Sequence, residues 1–170
     1  MDLVELLMAE HATLRLHFKF FKELPEDSIF EIDSFLIKCH SKVEDDIVFR
    51  MLEDKLLRTS SSNERLERIF KKIREDHMLL ASFSDQIRSW TVEGENQLLK
   101  ERLALYADTV LSHNSAEEVQ IFPYWKSIIF SDAEVDNSVI ATKQIIGSYG
   151  FDRYARVTGI SKELLDLVVR

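Results

Sequence analysis

At 170 residues the chain suits a single domain, long enough to bury roughly two-thirds of the surface that its unfolded form would expose. Four glycines and two prolines beside abundant Leu, Glu, Lys, Arg and Ala favour helix and argue against a turn-rich sheet protein. The net charge of −8, with no dense Lys/Arg cluster, offers no field for a phosphate backbone, so neither nucleic acid nor an anionic membrane is an expected partner.

The first segment carries Asp2, Glu5 and Glu10 among its apolar residues, with no basic n-region and no small-residue cleavage site, so it reads as a helix of the fold and not as a secretory signal. A helix is predicted near 2–23, ended by Pro25. Glu26-Asp27-Ser28 supplies an N-cap for a second helix near 27–57. Within it lies Cys39, the only cysteine, which can form no internal disulfide; its expected role is that of a small buried hydrophobe. The run Arg58 to Ser62 closes that helix, and Ser61 with Glu64 has the form of a capping box opening a third, near 62–91. The region around Gly94 leads to a fourth, near 96–127, with Pro123 close to its end. No run approaches the ~18 consecutive apolar residues of a membrane span, and the expected location is cytoplasmic.

Residues 131–170 form a separate helical extension in this reading, opened by Ser131 with Glu134 and punctuated by Gly150 and Gly159 as helix C-caps. It is expected to cover the bundle of residues 1–130, to form a homodimer contact or to dock a partner. A helix-turn-helix reader ranks last, for want of basic residues.

Each long segment has an apolar seam at alternating steps of three and four, the period of helices packed at shallow angles. The seams are Val4-Leu7-His11-Leu14-Phe18, Leu36-His40-Glu44-Ile47, Phe70-Ile73-His77-Leu80 and Tyr106-Val110-His113-Glu117. Every seam is interrupted by a histidine. A lone histidine on an apolar face is usually a satisfied core residue, but helices joined by short turns are antiparallel, so distance from the turn fixes height. His11 lies fourteen residues before Pro25 and His40 fifteen after it. His40 is twenty before Ser60 and His77 seventeen after it, and around Gly94 the counts are seventeen and nineteen. At ~1.5 Å per residue the four imidazoles share one layer. Glu44 and Glu117 follow His40 and His113 at i, i+4, on helices diagonally opposite in the bundle, where each carboxylate could bridge two ions. Nitrogen and oxygen donors without thiolate suit iron or manganese, with zinc as a substitute.

Of the remaining candidates, His17 lies six residues past His11 and points away from the seam, to the surface or its boundary. Asp45 and Glu118 read equally as partners for ligand imidazoles or as solvated acids. Tyr106 reads as a core aromatic or as a residue lining the pocket.

The segments His40-Ser-Lys-Val-Glu44-Asp45 and His113-Asn-Ser-Ala-Glu117-Glu118, with Glu10-His11 and Asp76-His77, resemble the hemerythrin-like, or HHE cation-binding, family over roughly residues 3–127. The resemblance implies an all-α, up-down-up-down four-helix bundle. It also implies two iron ions with an oxo or hydroxo bridge, ligated by His11, His40, Glu44, His77, His113 and Glu117. Oxygen-carrying hemerythrins have a further histidine on the third helix; Phe70, Ile73, Leu80 and Ala81 provide none here. Each iron would then keep about one open position, a pattern closer to the family's repair-of-iron-centres branch. The implied activity is binding or reduction of small diatomic or peroxide ligands (dioxygen, peroxide, nitric oxide) under oxidative or nitrosative stress. Iron donation to damaged centres and metal-dependent sensing are the alternatives.

Overall fold

The computed structural model describes residues 2–58, 64–93 and 96–168, and every regular element among them is helical. Helix α1 (Leu3–Lys19) opens on a capping box: the Asp2 carboxylate accepts from the Glu5 N–H and the Glu5 carboxylate from the Asp2 N–H. It stops short of the expected residue 23. The Phe20 N–H bonds back to the His17 carbonyl, and one 3₁₀ turn over Phe21–Glu23 leads into Pro25.

Helix α2 is continuous over 26–58. Its N-cap is Pro25, which makes no side-chain capping bond; Glu26 and Asp27, expected as caps, instead occupy the first turn, where they complement the positive end of the helix dipole. The uniform α repeat expected of this helix also fails. Leu36–His40 and Glu44–Phe49 are wound as π-helix on either side of the α-helical Ser41–Val43, and the Ser41 N–H reaches five residues back to the Leu36 carbonyl. Such wide turns insert one residue into the ladder and are frequent beside functional sites.

Helices α3 (Glu64–Glu93) and α4 (Asn96–Gln120) follow. The turns expected at 59–62 and around Gly94, and the Ser61 half of the predicted capping box, lie outside the described residues. The fourth segment is broken where one helix to 127 was expected. Pro123, with no N–H to donate, falls in the first turn of a separate α5 (Phe122–Ser127). Ser131 and Glu134 do form a capping box, opening α6 (Asp132–Tyr149). Gly150, at φ 106°, ends α6; Gly159, at φ 70°, ends α7 (Phe151–Thr158), both at backbone angles that a Cβ disfavours. A short α8 (Lys162–Asp166) completes the described chain.

Helices α1 to α4 form the up-down-up-down bundle, with α3 against α2 and α4 and α1 against α4. Its interior is divided in two. One apolar cluster is built around Leu14, Phe18, Phe35, Leu36, Leu80 and Tyr106. The other is built around Val4, Leu7, Ile47, Phe49, Phe70 and Ile121. The extension is continuous with the first, adding Ile146, Tyr154, Val157 and Leu165 to it. Between the two clusters runs a layer of buried polar side chains. No helix among the described residues is long and apolar enough to cross a membrane.

Candidate metal centre

The polar layer holds the six residues singled out in the sequence. On α1, His11 stands between Leu7 and Leu14 of the seam; on α2, His40 and Glu44 sit one turn apart; His77 comes from α3, and His113 with Glu117 from α4. His11, His40, Glu44 and Glu117 have no exposed surface, and His113 and His77 are only 3% and 7% exposed.

The donor atoms fall into two sets. His11 Nε2 lies 3.0 Å from His40 Nε2, 3.4 Å from Glu44 Oε1 and 3.5 Å from Glu117 Oε2, and His40 Nε2 lies 3.3 Å from Glu44 Oε1. Across the layer, His77 Nε2 lies 3.4 Å from Glu44 Oε2 and 3.7 Å from Glu117 Oε1, and His113 Nε2 lies 3.3 Å from Glu117 Oε1. Each carboxylate thus turns one oxygen to each histidine pair. Within each set the donor atoms lie within 4.8 Å of one another. Ligands about 2.1 Å from one ion at right angles would stand roughly 3.0 Å apart, and those at tetrahedral angles about 3.4 Å, so most of these spacings match the edges of a coordination polyhedron and the 3.7 Å one is slightly wider. Both oxygens of Glu44 and of Glu117, and the Nε2 atoms of His77 and His113, are buried without a hydrogen-bond partner. Unpaired polar atoms at that depth are costly, and a cation within each set would satisfy them.

The outward nitrogens are held by acids adjacent in sequence to members of the six. His11 Nδ1 is 3.0 Å from Glu118, His40 Nδ1 is 2.7 Å from Glu10, and His77 Nδ1 is 3.0 Å from Asp45. In the neutral imidazole a proton on each Nδ1 donates to its carboxylate and leaves the Nε2 lone pair facing the layer. His113 differs. Its Nδ1 stands 3.8 Å from Asp76, has no hydrogen-bond partner, and borders an open depression of about 290 Å³ lined by Lys72, Asp76, Asp108, Thr109, Ser112 and His113.

Without a cation the layer is electrostatically tense. Burial opposes charge on His11, but the hydrogen bond to Glu118 and the field of Glu44 outweigh it and push its pKa up to about 9. Against the same burial, Asp45 and Glu44 push His77 up to about 10. Burial also opposes charge on Glu44, yet His40, His11 and His77 hold it well below the usual carboxylate range. Glu117 goes the other way, raised by burial and by the negative charge of Glu44. At the rim, the hydrogen bond from His11, with Arg15 beyond it, holds Glu118 down to about 2 against partial burial.

The candidates outside the layer divide clearly. His17 is half-buried at the boundary, its Nε2–H donating to the Val157 carbonyl of α7 over 2.7 Å. Cys39 is buried and free, and burial beside Glu10 raises its thiol pKa. The Tyr106 ring packs with Phe18, Phe21 and Phe83, and its hydroxyl donates to Asp33, so it belongs to the aromatic core. Sequence reasoning missed two residues. Glu10, only 2% exposed, continues the seam Leu3-Leu6-Glu10-Leu14, a spacing that could have flagged it. Tyr154, whose hydroxyl donates to Glu10, has no local signal in the sequence.

Four imidazoles and two carboxylates converging in the core of a helical bundle define a protein built to hold cations. The family model for the hemerythrin HHE cation-binding domain matches residues 2–125, and the chain belongs to that family. No curated protein and no solved structure matches it.

Proposed function

We propose that the chain holds two iron ions and uses them to bind or reduce small oxidants such as dioxygen, peroxide or nitric oxide. One observation carries this reading: Glu44 and Glu117 each present one oxygen to the His11/His40 pair and the other to the His77/His113 pair. Each ion would receive two imidazole nitrogens and two carboxylate oxygens, leaving two positions of a six-coordinate metal for solvent or an exogenous ligand. Charge supports the count. Glu44, Glu117, Glu10, Asp45, Asp76 and Glu118 bring six formal negative charges, Arg15 and Lys72 offset two through Glu118 and Asp76, and two divalent ions balance the rest.

When bound, iron supplies electron transfer and Lewis acidity. The protein supplies orientation and dryness. Glu118, Glu10 and Asp45 hold protons on Nδ1 of three imidazoles so that Nε2 faces inward. Phe122 stacked on His11 and Phe49 stacked on His77 close the layer with hydrocarbon. The test is anaerobic reconstitution with ferrous iron, metal analysis, then the ultraviolet-visible spectrum and oxidant consumption on exposure to each oxidant. About two irons per chain with stoichiometric consumption supports the reading, and failure to take up iron overturns it.

The depression beside His113 favours a second reading, iron donation. Among the described residues His113 is the one member of the four imidazoles whose outward nitrogen has no partner, and an open depression borders it. Transfer of one iron to a metal-free acceptor, faster than oxidant consumption, would select it.

A further inference from the structure

The family match ends at residue 125, yet the carboxylate that holds His40 receives a hydrogen bond from residue 154. Three of the four outer acids reach solvent: Glu118, Asp45 and Asp76 have side chains 20%, 38% and 24% exposed, and Glu118 and Asp76 also pair with Arg15 and Lys72. Glu10 is enclosed at 2%. Its Oε2 accepts from His40 Nδ1 and its Oε1 accepts from the Tyr154 hydroxyl, so both oxygens of a buried, otherwise rotatable carboxylate are fixed.

Tyr154 is itself held firmly. It is fully buried, with its ring edge-on to Phe35. Helix α7 lies along the face of α1 that carries Glu10, Thr13 and His17: the Thr13 hydroxyl donates to the Thr158 carbonyl and the His17 imidazole to the Val157 carbonyl. Arg156 pairs with Glu31 and ties the same helix to α2. The hydroxyl therefore arrives at Glu10 on a rigid element, packed against both helices that carry the first histidine pair. A neutral donor orients the carboxylate without cancelling its charge, as an arginine would.

We propose that Tyr154 is a positioning residue of the metal centre: through Glu10 it fixes His40 with Nε2 toward the ion shared with His11. The inference rests on the two-ion reading and adds that the extension, outside the matched domain, is part of the site. Loss of such an outer partner typically weakens metal binding about 10- to 100-fold, and one further bond from the ligand the lower end applies. The effect falls on one ion of the two.

The experiment uses the full chain loaded anaerobically with ferrous iron. The rate of iron release to a ferrous chelator is followed for wild type, Tyr154→Phe, Glu10→Gln, the double variant and Tyr149→Phe, and the charge-transfer spectrum of each is recorded on a second sample after exposure to air. Tyr149→Phe is the control, because that hydroxyl of the extension donates to the Glu31 carbonyl and not to the site. The expected result is one iron leaving Tyr154→Phe about tenfold faster with the other unchanged, an altered spectrum, no change in Tyr149→Phe, and no further effect of Tyr154→Phe on the Glu10→Gln background. Melting of the metal-free proteins establishes that each is folded. Should Tyr154→Phe not fold, Glu10→Gln alone reads the link, and release of both irons from it at the wild-type rate overturns the proposal. If wild type takes up no iron, the two-ion reading and this inference fall together. If wild type holds two irons and a folded Tyr154→Phe releases both at the wild-type rate with an unchanged spectrum, this inference falls alone.

Discussion

Loading the stripped protein with metal should raise its melting temperature steeply, and the polar layer sets the scale. Six buried donor atoms, the four oxygens of Glu44 and Glu117 and the Nε2 atoms of His77 and His113, lack hydrogen-bond partners. Each such atom costs roughly 1–3 kcal/mol when nothing satisfies it, toward the lower end here because imidazole and carboxylate partly compensate one another at 3.3–3.7 Å. An ion that binds only the native state at a thousandfold excess over its Kd contributes about 4 kcal/mol, so two contribute about 8. For a chain of this size each kcal/mol moves Tm by roughly 2–4 °C, which gives a rise of about 15–30 °C. The assay is far-ultraviolet circular dichroism melting of chelator-stripped protein, alone and with one and two equivalents of ferrous iron under nitrogen, and again with manganese or zinc. A shift under about 3 °C at two equivalents would refute the reasoning, since the layer would then be satisfied without an ion.

Three further outcomes are expected. Replacing Glu44 or Glu117 by Ala removes an oxygen from both donor sets, so metal analysis should find at least one ion lost per chain; two tightly held irons in either variant would exclude bridging. His11 and His77 have pKa values near 9 and 10 in the metal-free protein, above the ordinary histidine value, so both carry protons at neutral pH and loading should release them, as a pH indicator in weak buffer would record. The stability these two imidazoles give the metal-free chain is full below about pH 6.5 and is lost as pH rises through 9 to 10, while metal affinity rises over that range. Tyr106→Phe takes a buried donor from Asp33 and should cost about 1–3 kcal/mol in urea unfolding, with iron content and spectrum unchanged because the hydroxyl bonds to Asp33 and to none of the six residues of the layer.

The polar layer was legible because helix periodicity converts spacing into direction. Four histidines equidistant from three turns, and glutamates at i, i+4, have little freedom to go elsewhere once the seams of Leu, Ile and Phe are buried. The resemblance of the two His-x-x-x-Glu segments to a known family pointed the same way. What escaped depends on partners far apart in the chain. Glu10 lies in the apolar spacing of α1, but its partners are 30 and 144 residues away. Asp33 meets Ser84 and Tyr106 across the bundle, 51 and 73 residues on. The end of α1 and the break at Ile121 are local, and Pro123 announced the second without fixing its residue.

The π turns of α2 carry a consequence for how the centre tolerates change in length. A helix wound five residues to the hydrogen bond at Leu36–His40 and again at Glu44–Phe49 holds surplus residues in its ladder, so its phase is reset on both sides of the three residues that separate His40 from Glu44. Removing one residue from either wide turn would let that turn relax to ordinary α winding with the helix beyond it still in phase, whereas a deletion in a regular α stretch would turn everything beyond by about 100° about the axis. Substitution at Lys42 or Asp46, both half-exposed on the outer face, leaves that phase alone. The two wide turns thus act as slack in the length of α2, able to absorb the loss of a residue that a uniform α-helix would pass on to His40 and Glu44 as a rotation.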